Sequence, residues 1–147
     1  MIRKTLRLLA AALLIHAAAG SAAAAAIKSA KGPLVRHEKA AVTLKNAGIA
    51  ITGYQLVRPT RLGRTNPFSD SGPALHLDVR NEGSEPRDFA IAVALFDKAG
   101  RLVGAAAEGH SGKLEPGEAA EVKVVFKEVN EEVPLATSVQ VSLEIRR

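Results

Sequence analysis

Apolar and polar positions alternate with period two over most of the chain. In Leu75-His76-Leu77-Asp78-Val79-Arg80 the apolar residues share one face of an extended strand, while His76, Asp78 and Arg80 share the other. Phe89, Ile91, Val93 and Leu95 repeat the pattern with Ala90, Ala92 and Ala94 between them, and Val122, Val124 and Phe126 do so again. Val139, Val141, Leu143 and Ile145 form a last run, with Gln140, Ser142 and Glu144 facing the other way. Earlier, two strand-like runs over 40–44 and 49–57 flank Asn46-Ala47-Gly48, a tight turn. Clusters of turn-forming residues separate the rest: Asn81-Glu82-Gly83-Ser84-Glu85-Pro86, Lys98-Ala99-Gly100 and Leu114-Glu115-Pro116-Gly117-Glu118. No sustained helical stripe follows residue 26. The pattern predicts an all-β antiparallel sandwich of about seven strands over 40–147, its core made by Leu77, Val79, Ile91, Val93, Leu95, Val124, Phe126, Val141 and Leu143. The alanines at 90, 92, 94 and 105–107 give it an unusually smooth second face, expected to be covered by the N-terminal strands because large exposed apolar patches are rare.

The first residues follow a different logic. Arg3, Lys4 and Arg7 precede the apolar run Leu8 to Ile15, which is too short to cross a bilayer as a helix. Ala24-x-Ala26 then supplies a small-residue exit before Ile27, with Ala22-x-Ala24 as the alternative. This is the form of a secretory signal, so 1–26 is expected to be removed on export to the periplasm or medium. The mature chain is expected to have no transmembrane segment. There is no cysteine, which excludes both a lipidated cysteine at the cleavage site and any disulfide. Residues 27–39, polar and containing Gly32-Pro33, read as a flexible linker, and residues 59–73 read as a long irregular loop.

Within the alternating region, Val93-Ala94-Leu95-Phe96-Asp97-Lys98-Ala99-Gly100-Arg101-Leu102-Val103-Gly104 resembles the strand–turn–strand core of the FxLYD family. Val79-Arg80-Asn81-Glu82-Gly83 and Leu114-x-Pro116-Gly117-Glu118 are similar to that family's flanking strand end and turn. The likeness spans about Leu75 to Val125, with Val93 in place of the first Phe and Phe96 in place of the Tyr. It implies an immunoglobulin-like sandwich of the kind found in bacterial exported and envelope proteins. It implies no catalytic residue.

Charge sharpens the picture. From Ile27 to Ser69 there are eight cations against Glu38 alone, and from Asp70 to Arg147 nine cations against fourteen acids. Such a split either draws an anionic partner or lets the two halves attract each other. The strongest concentration is Arg58, Arg61 and Arg64 in the long loop, a set able to grip carboxylates or phosphates and the candidate partner-binding edge. An envelope protein or an anionic polymer fits it. Nucleic acid does not, since aromatic residues are only 3% of the chain and no stacking platform is visible.

Candidate chemistry is sparse. His37, His76 and His110 would make a metal site or a small active site only if the fold gathered them from distant positions. His110 and Ser111 lack a nucleophile-elbow pattern, and 107–114 lacks the first glycine and the Ser or Thr of a phosphate-binding loop. No catalytic, cofactor or metal residue is assigned. The sequence predicts a non-enzymatic exported binding or structural module, with a periplasmic metal-binding protein or small enzyme built on those histidines as the alternative.

Overall fold

The computed structural model describes residues 27–35, 38–57, 72–127 and 133–146. The alternating runs form the predicted strands: β2 (Ala40–Asn46), β3 (Ile49–Val57), β4 (Ala74–Asn81), β5 (Asp88–Phe96), β6 (Leu102–Gly109), β7 (Ala119–Val125) and β8 (Ser138–Arg146). An additional strand, β1, covers Ile27–Pro33, and a short 3-10 turn occupies Val133–Leu135. One sheet has the order β1-β8-β5-β6, the other β2-β3-β4-β7, and every paired strand is antiparallel. The result is an immunoglobulin-like β-sandwich. Among the described residues no helix is long and apolar enough to cross a membrane.

The inward rows meet as the alternation predicts. Leu77, Val79 and Val124 of one sheet and Ile91, Val93, Leu95, Val141 and Leu143 of the other are buried, with Phe126 just beyond β7. Tyr54, Phe89, Ile49, Ile51, Leu75 and Leu114 are also among the largest fully buried side chains. In β3 the inward phase slips by one residue, from Ile49 and Ile51 to Tyr54 and Leu56. A bulge between Ile51 and Gly53 absorbs the shift and leaves Thr52 facing outward.

Two expectations are corrected. Residues 27–33 are not linker: β1 pairs with β8 from Ile27↔Glu144 to Pro33↔Ser138, which makes eight strands rather than about seven. Gly32-Pro33 signals an edge strand here, where a missing amide hydrogen costs little. Nor do the N-terminal strands cover the alanine face. β1 lies in the plane of its sheet at the far edge from β6, β2 belongs to the other sheet, and Ala92, Ala105 and Ala107 stay exposed.

Candidate functional site

The outer face of the β2-β3-β4-β7 sheet concentrates the polar side chains. Alternation puts His76, Asp78 and Arg80 of β4 on that face, and the antiparallel register sets them beside Lys123, Glu121 and Ala119 of β7. His76 Nδ1 lies 2.8 Å from Glu121 Oε1, and the tautomer or protonated ring with hydrogen on Nδ1 donates to that carboxylate. Lys39 Nζ reaches Asp78 Oδ2 at 2.5 Å, and Lys45 Nζ reaches Glu82 Oε2 at 2.6 Å. The first pair needs Gly53: a Cβ there would press on both Asp78 and Lys39. A shallow groove of about 450 Å³ crosses this face, lined by Thr52, Asp78, Arg80, Glu82, Ala119 and Glu121 among others. It is open and mixed in charge, and its ion pairs are exposed ones of small individual worth.

The buried polar side chains serve the fold itself. Asn81, fully buried at the end of β4, donates from Nδ2 to the carbonyls of Glu85 and Leu114, each at 2.8 Å. Its Oδ1 accepts from the amide of Gly83 at 2.9 Å. Its main chain bonds to Gly117 and Glu118, so one residue knots two turns to a strand end. Asp97 closes the β5–β6 hairpin. Its Oδ1 accepts the amides of Ala99 and Arg101 at 2.9 Å, and its Oδ2 takes Arg101 Nε at 2.8 Å. Those amides, that of Arg101 foremost, hold its carboxyl below the usual range. Asn46 on β2 donates across the sandwich to the carbonyl of Leu143 on β8 at 3.1 Å. Tyr54 on β3 likewise crosses to β1, donating to the carbonyl of Pro33 at 2.6 Å, and burial pushes its phenol above the usual 10.0.

Of the residues singled out from sequence, Arg58, Arg61 and Arg64 lie outside the described residues, as does His37. The described flanks show only that β3 and β4 are antiparallel neighbours, with Val57 paired to Ala74 where that connection leaves and returns. His76 and His110 belong to different sheets. His76 is held by Glu121, while the His110 ring stacks on Phe89 with centroids 5.1 Å apart and Nδ1 is 3.2 Å from the carbonyl of Gly112. Among the described residues no cluster of three or more His, Asp or Glu side chains is arranged to hold a metal ion. Sequence reading missed the His76–Glu121 and Lys39–Asp78 pairs because their partners come from strands far apart in the chain. The opposite charge of the two halves was the available signal for Lys39–Asp78 and Lys45–Glu82.

No protein-family model matches the chain, and no curated protein sequence matches it. Among solved structures, the chain is similar to the Salmonella enterica trimeric lipoprotein SadB, with a TM-score of 0.50 at 14% sequence identity. The match covers 97% of this chain and 72% of that one, and what the two share is the fold.

Proposed function

We propose that this protein is a non-enzymatic binding or structural module of the bacterial cell envelope, an FxLYD-type domain exported by its N-terminal signal. The observation that carries the reading is how the fold uses its polar groups. Asn46, Asn81 and Asp97, the buried polar side chains among the described residues, all bond to the main chain of the sandwich. Apart from Asp88 Oδ1, which is buried without a hydrogen-bond partner, what remains for chemistry among the described residues is an open, solvated surface. Enzyme sites depend on polar groups preorganised in sheltered pockets, whereas a surface of this kind suits recognition. Likeness in fold to a lipoprotein supports an envelope setting.

The partner-binding edge in this reading is Arg58, Arg61 and Arg64, and the partner is an anionic envelope polymer or an acidic protein face. Arginine forks match carboxylate and phosphate oxygens, and exposed contacts of this type weaken as salt rises. Retention on an anionic polysaccharide matrix tests it. The wild-type protein should bind at low salt and elute as salt rises, and an Arg58/Arg61/Arg64→Ser variant should elute markedly earlier. Equal elution of the two would contradict the assignment.

A further inference from the structure

The sandwich has four edge strands, and three carry features that discourage a further strand. β1 ends in Pro33, which has no amide hydrogen; β2 carries Lys45, and β7 carries Glu121 and Lys123, on their outer faces. β6 is different. From Leu102 to Ala107 it bears no charge, its one bulge falls at Val103 near its start, Leu102 is 58% exposed, and Ala105 and Ala107 are open to solvent.

The phase of the ladder identifies its free backbone groups. The His110 amide donates to the Phe89 carbonyl at 3.2 Å. Alternation along an antiparallel pair then turns the backbone groups of Glu108 and Ala106 toward β5, and those of Gly109, Ala107 and Ala105 away from it. Gly109 agrees with this phase: its amide is satisfied by Glu108 Oε1 at 3.2 Å and not by β5. Ala105 and Ala107 have no partner on that side among the described residues.

We propose that β6 is a self-pairing edge, where a second copy of this chain adds its own β6 antiparallel about a two-fold axis at Ala105. Charge placement selects a second copy as the occupant. Arg101 stands at the start of the strand and Glu108 near its end. Antiparallel self-pairing about Ala105, with Val103 bulged out of the ladder as it is against β5, sets Arg101 of one copy beside Glu108 of the other, and the contact occurs twice. Arg101 is bound to Asp97, yet its side chain is 76% exposed and keeps N–H groups to offer. Glu108 shares the face of Ile91 and has no ion-pair partner among the described residues, while the Arg146 guanidinium lies over Gly109 beside β6. Gly104 and the alanines after it let the strands approach without obstruction. A strand pair of this length buries little area, so the dimer is weak and concentration-dependent. The proposal does not depend on export or on the arginine loop.

Sedimentation velocity of the purified protein from micromolar to millimolar concentration tests it. The expected result is a monomer–dimer equilibrium, with the Ala105 and Ala107 amides gaining hydrogen-exchange protection as dimer forms. Ala107→Pro should weaken association at least about tenfold with the melting temperature unchanged, because that amide makes no bond within the monomer. Glu108→Lys should weaken it at low salt and much less at high salt. If Ala107→Pro fails to fold, Glu108→Lys and the wild-type exchange pattern decide. A monomer throughout, a trimer, or a dimer indifferent to Glu108→Lys would overturn the proposal.

Discussion

Asn81 concentrates more structural work than any other polar residue described. Its carboxamide supplies two donors and one acceptor where no water reaches, so each lost bond leaves a buried group unpaired. Asn81→Ala should cost about 2–4 kcal/mol by chemical denaturation. Asn81→Asp should cost more, since a carboxylate would face the carbonyls of Glu85 and Leu114. Ala47 makes the opposite case. It stands at φ 44 beside Gly48 at φ 92, in a two-residue hairpin turn that favours Asn-Gly over Ala-Gly. Ala47→Asn should therefore stabilise by about 1 kcal/mol, seen as a rise in melting temperature. Asp97 ties stability to pH. Its folded carboxyl titrates below the unfolded value of 3.8, so its contribution is fully present above that value and is lost as pH falls through the folded pKa. The stability gap between wild type and Asp97→Asn should be constant near neutral pH and close as acid is added below about pH 4. A gap that held steady into strong acid would show that the charge is not what matters.

Among the elements, β1 separates what the sequence makes legible from what it hides. β4, β5, β7 and β8 bury apolar rows that period-two alternation exposes directly, whereas β2 and β6 bury little of their length and the one-residue slip in β3 comes from a bulge that alternation does not reveal. β1 has no such row. Its residues are mostly exposed, and it is held by its ladder to β8 and by the Tyr54 hydroxyl on Pro33. Those are contacts from across the fold that leave little local trace. Gly32 fits because a Cβ there would collide with the Tyr54 hydroxyl. Tyr54→Phe should lower stability by about 1 kcal/mol and Gly32→Ala by more. In both, the loss of hydrogen-exchange protection should be greatest in β1. An even loss across both sheets would mean that β1 is integral to the core rather than fastened onto it. The polar outer face was half visible: alternation places His76, Asp78 and Arg80 together, but their partners depend on which strands become neighbours.

At the scale of the whole molecule, part of the charge asymmetry is used internally. Lys39–Asp78 and Lys45–Glu82 join the basic first half to the acidic second half across one sheet. Such exposed pairs contribute little stability. The cleavage point expected from the sequence precedes Ile27, the first described residue of β1, so processing there would leave the described sandwich intact. Intact mass spectrometry of the protein recovered from periplasmic and envelope fractions tests this account most directly. The account predicts a processed chain beginning at Ile27, or at Ala25 by the alternative exit, with all of β1 retained. A chain that keeps Met1 and stays in the cytoplasm, or one cut within β1, would contradict it.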